Sequence, residues 1–229
     1  MIVRTSAELA RLIDHTTLRS DVTAAEVEQY CQEAIEWNFA SVCVNPIHVP
    51  RVAACLAGSA VRTCSVIGFP LGASPTALKR AELDWVIEQG ASEIDAVISV
   101  GTLRSEGAGP VGAEIAALKA DCGPLCLKAI IEISLLTDDE IVAVCLAARA
   151  AGADFVKTST GFVGTGATAE AVALMRRTVG PDMGVKASGG IRSVSDAMSM
   201  LEAGANRIGT SRGAALVKEA RYHLEGAGR

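Results

Sequence analysis

Residues 154–162, DFVKTSTGF, begin with a short apolar run that carries a lysine and end in small polar residues and a glycine. Residues 184–192, GVKASGGIR, repeat this order with a second lysine. Each stretch is typical of a buried strand that runs out into a loop, and it puts Lys157 and Lys186 where the strand ends. Strands of this kind, each leading into a helix, are typical of a parallel α/β fold.

The same unit recurs along the whole chain. Apolar stretches predict eight strands, each followed by a helix at intervals of roughly 25 to 30 residues, as in a barrel of about 250 residues. The predicted strands lie at residues 12–18, 41–45, 63–67, 93–98, 125–132, 154–160, 184–188 and 205–211. We therefore predict an α/β protein with one (β/α)8 TIM barrel domain over residues 1–229 and a short N-terminal helix. A doubly wound open sheet is the alternative, but the GxGxxG turn expected after its first strand is missing from the sequence.

Composition narrows the classes of function. The net charge of -5 and the pI near 5.3 come from scattered acidic residues without a basic stripe, so we expect no nucleic-acid partner. Seven cysteines without a CxxC pair argue against a disulfide framework and against a structural zinc site. No apolar run reaches the roughly 20 residues that span a bilayer, and the N-terminus does not resemble a secretion signal. We expect a cytoplasmic protein without a membrane partner.

The two lysines suggest amine chemistry. A free lysine has a pKa of about 10.4, so few such side chains carry the neutral nitrogen that attacks a carbonyl at neutral pH. Burial of Lys157 among Phe155, Val156 and Phe162, with the cation of Lys186 close by, would disfavour the ammonium form. On adjacent strands about 4.8 Å apart, two positive charges would repel each other by several kcal/mol at an effective dielectric constant of about 20. We expect one of them to be neutral near neutral pH; the alternative is two solvated strand ends.

Asp95 is the candidate for proton transfer. It lies in the fourth predicted strand, two strands from Lys157, and shares a strand face with Glu93 and Val97. From there it could take and return protons while a carbinolamine forms, and Lys186 could hold the relay. A purely structural ion pair is the alternative reading of Asp95.

Small residues after three consecutive strands predict an anion site. Glycines and hydroxyl residues leave backbone N–H groups free to approach a phosphate, and barrels often bind phosphate with the loops after their last two strands. The residues concerned are Gly161, then Ser188, Gly189 and Gly190, then Gly209, Thr210 and Ser211.

Other reactive side chains carry weaker signals. Cys43 is more typical of a small core residue than of a catalytic thiol, because no histidine or asparagine partner is evident. His15, His48 and His223 do not have the spacing of a ligand set, so we expect no metal.

The sequence resembles the deoxyribose-phosphate aldolase family over nearly its whole length. The shared motifs, in order, are IDHTTL, SVCVNP, SVIGFPLG, EIDAVI, LKAIIE, DFVKTSTGF, VKASGGIR and ANRIGTS. The resemblance implies a class I aldolase, without metal or bound cofactor, that interconverts 2-deoxy-D-ribose 5-phosphate with D-glyceraldehyde 3-phosphate and acetaldehyde in deoxynucleoside catabolism. Its expected partners are these small molecules and further copies of the chain, as a homodimer or homotetramer.

The resemblance also implies roles for single residues. Lys157 would form the Schiff base, Asp95 would donate and accept protons, and Lys186 would perturb Lys157. Asp14 and Thr16 would order water or substrate hydroxyls. The remaining candidates for substrate and phosphate contacts are Cys43, Thr160, Gly161, Gly189, Gly190, Gly209 and Ser211.

Two positions depart from the family pattern. Phe162 stands where some members have a basic residue, which leaves the phosphate contacts open. Some members carry a tyrosine in a C-terminal tail that reaches the site, whereas the last tyrosine here is Tyr222 and the tail has none. Two other classes therefore stay open: a different Schiff-base barrel, such as a transaldolase-like or fructose-type aldolase, and a non-catalytic barrel that binds a sugar phosphate.

Overall fold

The eight predicted strands pair side by side in chain order, and the last pairs with the first, so the sheet closes on itself. These pairings, all parallel, are seen in a computed structural model that describes residues 3–226, apart from the side chains of residues 224 and 225. The strands are β1 (Ile13–Thr17), β2 (Ser41–Val44), β3 (Arg62–Ile67), β4 (Glu93–Val97), β5 (Cys126–Ile130), β6 (Phe155–Lys157), β7 (Gly184–Ser188) and β8 (Arg207–Thr210). The predicted (β/α)8 barrel is confirmed.

Helices connect the strands and cover the outside of the barrel. They are α1 (Ser6–Ala10), α2 (Ala24–Trp37), α3 (Val49–Cys55), α4 (Thr76–Glu88), α5 (Val100–Glu106), α6 (Ala108–Cys122), α7 (Asp138–Ala150), α8 (Ala169–Val179), α9 (Val194–Glu202) and α10 (Gly213–Glu225). Two 3-10 turns, Pro46–His48 and Ile133–Leu135, follow β2 and β5. Within the described part of the chain, no helix has the length and apolar character needed to cross a membrane.

Capping side chains fix where several helices begin. At the start of α2, Thr23 Oγ1 accepts from the N–H of Glu26 at 3.3 Å, and the Glu26 carboxylate accepts from the N–H of Thr23 at 2.7 Å. Thr137 caps α7 and Ser193 caps α9 in the same reciprocal way. Such caps satisfy N–H groups that the first turn leaves without partners. They hold the helix starts at the face of the barrel where the strands end.

Strand residues alternate between two environments. Residues such as Ile94, Val156 and Val185 face outward and belong to the apolar layer packed against the helices. The intervening positions face the barrel axis, and many of them are charged although buried: Asp14, Glu93, Asp95, Lys128, Lys157 and Lys186. The main apolar core therefore lies between sheet and helices, and buried charges occupy part of the barrel interior.

Most strand boundaries differ from the predicted ones by two residues or fewer, and the largest difference is at the end of β6. β6 ends at Lys157, because Ser188 of β7 then bonds the side chain of Thr158 in place of its backbone: Thr158 Oγ1 accepts from the Ser188 N–H and donates to Ser188 O, both at 3.0 Å. α5 was not predicted at all. It is a short helix whose first turn is capped by Ser99 Oγ, which accepts from the N–H of Thr102 at 3.3 Å.

Candidate active site

A cavity of about 320 Å³ opens where the strands end. Parallel barrels carry their sites at this face, because all strand ends and the loops that follow them meet there. The predicted residues that line the cavity are Thr16, Lys157, Thr160, Gly161, Gly189, Gly190, Gly209 and Ser211. Asp14, Cys43, Asp95 and Lys186 do not line it and are fully buried.

Lys157 reaches the floor of this cavity. It is the last residue of β6 and pairs in register with Lys186 of β7. Its side chain is only 2% exposed, and its Nζ lies 2.7 Å from Asp95 Oδ2. An amine at this position can meet a ligand in the cavity from one side and a carboxylate from the other.

Lys186 is held between two carboxylates. Its Nζ forms ion pairs with Asp14 Oδ2 and, at 2.7 Å, with Asp95 Oδ2. Burial alone would favour the neutral amine, but the charges of Asp14 and Asp95 outweigh it and raise the pKa of Lys186. Lys186 is therefore a fixed cation beside Lys157, as the sequence suggested.

Asp95 collects three ammonium groups. Besides Lys157 and Lys186, Lys128 Nζ lies 2.9 Å from Asp95 Oδ1. Burial opposes ionisation, yet these three cations hold the pKa of Asp95 well below its usual range. The sequence prediction assigned no role to Lys128. Its signal was a lysine inside the apolar stretch LKAIIE, of the same kind as the other two.

Six of the buried charges form a closed circuit of alternating sign, which we call the charge ring. Going around it, each residue contacts the next: Arg207, Asp14, Lys186, Asp95, Lys128 and Glu93, and Glu93 returns to Arg207. Arg207 Nη1 lies 2.6 Å from Asp14 Oδ1, and Arg207 Nη2 lies 3.2 Å from Glu93 Oε1. Lys128 Nζ lies 2.7 Å from Glu93 Oε2. The sequence prediction missed Arg207 and Glu93 as parts of the site.

Lys157 is attached to the charge ring but is not a member of it, since Asp95 is its one ion-pair partner among the described residues. This surrounding differs from the predicted one. Lys157 is buried as expected, but Val156 faces the helices and Phe162 is 55% exposed. Side chains of β6 alternate between the two faces of the sheet, so only Phe155 and Lys157 point toward the barrel axis. The amine of Lys157 therefore meets the carboxylate of Asp95 and not the apolar side chains that the sequence predicted.

The glycine-rich loops meet closely at the cavity wall. A Cβ on Gly166 would lie 2.4 Å from the carbonyl carbon of Gly189, so these two loops can approach only as glycines. Ser188 Oγ donates to Ser159 O at 2.7 Å, which joins the ends of β6 and β7. Gly166 was not among the predicted residues.

Two further contacts shape the cavity wall. Buried Glu132, at the end of β5 with a φ of 55°, accepts bonds from the N–H of Thr160 at 3.2 Å and from the Thr160 hydroxyl. On the other side, α10 begins at Gly213 without a capping side chain, directly after Ser211. Its first N–H groups are those that an anion can satisfy.

The segment around Ser211 is also held from outside the barrel. Tyr30 Oη donates to Ser211 O at 3.2 Å. The Tyr30 ring is stacked on buried His15, with centroids 4.2 Å apart, and His15 Nε2 lies 2.8 Å from Glu33 Oε2. Burial, despite the bond to Glu33, lowers the pKa of His15, so the ring packs as a neutral group. His15 thus belongs to the support of the cavity.

Two arginines at the cavity mouth were not predicted. Arg19 follows β1 and lies 2.9 Å from both Asp21 and Glu26, and Arg192 follows the glycines after β7. Both line the cavity. The charge of Arg19 is balanced by Asp21 and Glu26, so Arg192 is the one that adds positive charge near Phe162.

One side of the barrel interior is apolar. Cys43 packs there with Leu18, Cys64 and Val66, against the partly buried Phe69. Phe69 in turn contacts Phe162 edge to face, with ring centroids 5.2 Å apart. Cys43 therefore lies beneath the cavity in apolar surroundings, and its predicted substrate contact stays a prediction.

By distance, Cys43, Cys64 and Asp95 form the one set of side chains within residues 3–226 that could hold a metal ion, with ligand atoms within 4.8 Å of one another. Asp95 is already bonded to three ammonium groups, which would repel a divalent cation. These three side chains therefore suit ion pairs between Asp95 and the lysines better than they suit a metal ion.

The sequence has no tyrosine in the C-terminal tail after Tyr222, unlike some members of the family. Tyr222 is 63% exposed on α10. Residues 227–229, the end of the tail that lacks a tyrosine, lie outside the described residues.

Known proteins resemble this chain in sequence and in fold. Residues 9–219 match the family model of the DeoC/LacD family aldolase. A deoxyribose-phosphate aldolase from Rhodospirillum rubrum is 57% identical over 222 residues, which cover 97% of this chain and 93% of the relative. One from Macrococcus caseolyticus is 53% identical over 210 residues, or 92% of this chain and 96% of the relative. The tetrameric deoxyribose phosphate aldolase of Aeropyrum pernix matches with a TM-score of 0.86 at 34% identity, over 94% of this chain and 92% of that one. The chain therefore belongs to the DeoC/LacD family of aldolases.

Proposed function

We propose that the protein is a class I aldolase that interconverts 2-deoxy-D-ribose 5-phosphate with D-glyceraldehyde 3-phosphate and acetaldehyde, through a Schiff base on Lys157. The observation that carries this proposal is the position of Lys157. Its amine lies on the floor of a cavity, 2.7 Å from the carboxylate of Asp95, and is paired in register with the fixed cation Lys186. The names of the relatives from Rhodospirillum rubrum and Macrococcus caseolyticus support the same substrate.

The contacts of Lys157 support its role as the nucleophile. Each cation of the charge ring contacts two carboxylates, whereas Lys157 contacts only Asp95. The ring contains three carboxylates and three cations, so protonated Lys157 adds one positive charge to a neutral set. Lys157 is therefore the cation of this cluster with the fewest carboxylate partners, and its side chain also lines the cavity.

The reaction then follows the chemistry of an amine with an aldehyde. The neutral nitrogen of Lys157 attacks C1 of the open-chain sugar to give a carbinolamine, which loses water to form the protonated Schiff base. The C2–C3 bond breaks as the C3 hydroxyl gives up its proton, and the electron pair passes through C2 toward the nitrogen as an enamine. Protonation of C2 and addition of water release acetaldehyde and the free amine.

The proton transfers are assigned to Asp95 and the groups around it. Asp95 accepts the proton that leaves Lys157 and returns it to the carbinolamine oxygen, which lies within reach of the same carboxylate. Lys186 stays charged throughout and keeps Asp95 oriented. Thr16 lines the cavity, and its hydroxyl donates to Asp14 O at 2.9 Å, so its oxygen can accept from a sugar hydroxyl.

The glycine-rich wall is assigned to the 5-phosphate. Gly161, Gly189, Gly190, Gly209 and Ser211 line the cavity where α10 begins, and the first turn of α10 offers unpaired N–H groups. Arg192 adds positive charge at the mouth. A phosphate bound there would leave the aldehyde end of the sugar free to reach the floor.

We also infer that the protein forms an oligomer and that it works in the cytoplasm. The tetrameric relative from Aeropyrum pernix supports an oligomer, either a dimer or a tetramer, and the exposed side chains of Ile47 and Leu71 are available for subunit contacts. All seven cysteines are free thiols, which supports the reducing conditions of the cytoplasm.

Reductive trapping tests the proposal. Incubation with acetaldehyde and borohydride should reduce the Schiff base and leave an N-ethyl group on Lys157. Peptide mass spectrometry would locate this group. Lys157→Met should abolish the adduct and turnover, whereas Lys218→Met, at an exposed lysine of α10, should change neither. A protein without an adduct would support a non-catalytic barrel, and failure to use acetaldehyde as donor would support a different Schiff-base enzyme.

A further inference from the structure

Two members of the charge ring lie beyond the reach of a substrate. Glu93 and Arg207 are the first residues of β4 and β8, and neither lines the cavity. Arg207 pairs in register with Lys186, and Glu93 precedes Asp95 by two residues on the same strand face. They form the lower side of the ring, away from Lys157.

Glu93 and Arg207 complete the circuit of contacts in the ring and also balance its charge. Arg207 joins the carboxylates of Asp14 and Glu93, and Glu93 joins the cations of Arg207 and Lys128. With both present, each ring cation contacts two carboxylates and the ring has no net charge. With one absent, the ring carries an uncompensated charge close to Lys157.

We propose that Glu93 and Arg207 are positioning residues that keep the charge ring neutral and thereby set the pH at which Lys157 becomes a nucleophile. The inference rests on the proposed function, in which Lys157 acts as the free amine. It assigns a part in the reaction to two side chains that touch neither the substrate nor Lys157.

The seven other strands all place titratable side chains inside the barrel with Lys157. The ring members come from β1, β4, β5, β7 and β8. β2 and β3 contribute the thiols of Cys43 and Cys64, and Cys64 Sγ lies 3.3 Å from Asp95 Oδ1. Burial raises the pKa of Cys64, while the bond to Cys64 lowers that of Cys43. The substitutions below leave both thiols in place, so their contribution is common to all variants.

Removing the two charges should have opposite effects. Glu93→Gln keeps the size of the side chain but leaves the ring positive, which disfavours the ammonium form of Lys157. The rise of kcat/KM with pH should then move to lower pH by about one unit. Arg207→Gln leaves the ring negative and should move the same rise to higher pH by about one unit.

The double variant separates charge from packing. Glu93→Gln combined with Arg207→Gln restores a neutral set, so the rise should return to the wild-type position even if activity is lower. Arg207→Lys keeps the charge and should also leave the position unchanged. The matched surface controls are Glu28→Gln and Arg51→Gln, which remove the same charges from an exposed ion pair and should shift nothing.

The same titration can be followed without turnover. The rate at which formaldehyde and cyanoborohydride alkylate Lys157, read by peptide mass spectrometry as a function of pH, reports the free amine directly. Shifts in the same direction for both single variants, or no shift in either, would overturn the inference. A wild-type protein that titrates as described but has no aldolase activity would instead overturn the proposed function alone.

Discussion

At the scale of single residues, Lys157 and Lys186 show how identical side chains acquire different roles. They are paired in register on adjacent strands, and both are almost completely buried. Lys186 contacts Asp14 and Asp95, whereas Lys157 contacts Asp95 alone. One additional carboxylate therefore distinguishes the surroundings of Lys186 from those of Lys157.

Removal of the Lys186 charge should damage both stability and turnover. Lys186→Met leaves the buried carboxylates of Asp14 and Asp95 each without one partner, so the free energy of unfolding should fall by about 3 kcal/mol. Turnover should fall by about 100-fold or more, because the charges that orient Asp95 are disturbed. Denaturant unfolding and initial-rate assays measure the two effects. Lys218→Met is the control, and near wild-type activity of Lys186→Met would contradict this role.

At the scale of elements, the strands and their order were predictable because the apolar runs and the helix caps recur along the chain. The three strand lysines could be found because each interrupts an apolar stretch. The charge ring could not be found in this way. Its closure through Glu93 and Arg207 depends on the register between strands, which brings together residues more than a hundred positions apart. The end of β6 was also misplaced, since beyond Lys157 the backbone of Ser188 bonds to the side chain of Thr158, which no local pattern encodes.

The contact between α2 and the start of α10 should affect phosphate binding selectively. Tyr30→Phe removes only the hydroxyl that donates to Ser211 O, while the ring stays stacked on His15. The KM for 2-deoxyribose 5-phosphate should rise about fivefold, the effect of losing one ordinary hydrogen bond, with kcat nearly unchanged.

Unphosphorylated 2-deoxyribose provides the comparison for Tyr30→Phe, since its KM should not change. Tyr222→Phe, at an exposed tyrosine on α10, is the matched control. An equal effect of Tyr30→Phe on both sugars would indicate a general loss of structure and would contradict the specific role of this contact.

At the scale of the whole molecule, the barrel has an apolar layer outside the sheet and an ionic interior. Burial opposes ionisation of all these groups, but the surrounding cations lower the pKa values of Asp14 and Asp95, and the surrounding carboxylates raise those of Lys128 and Lys186. The folded state therefore binds fewer protons than the unfolded chain in acid and more in alkali. Its stability must decline in both directions from a plateau.

The pH limits of this plateau follow from the unfolded chain. Aspartates titrate near pH 3.9 and lysines near about pH 10.4 when unfolded. Histidine and cysteine titrate inside these limits, near about pH 6.5 and about pH 8.5 when unfolded, and burial lowers the pKa of His15 and raises the pKa values of Cys64 and Cys145. The midpoint of thermal unfolding should therefore be highest between about pH 7 and about pH 8. Below this range protons bind unfolded His15 and then the unfolded carboxylates, and above it protons leave the unfolded thiols and then the unfolded lysines, so the midpoint should fall on both sides. Calorimetry across the range measures it, and a midpoint that stays constant in acid and alkali would be inconsistent with these buried charges.

The ionic interior also links this fold to temperature. Water solvates ions less favourably when it is hot, so the penalty for withdrawing seven ionised side chains from solvent shrinks on heating. The free-energy cost of burying these charged groups is therefore largest at low temperature. The ion pairs around Asp95 should therefore contribute more favourably to the stability of the barrel as the temperature rises.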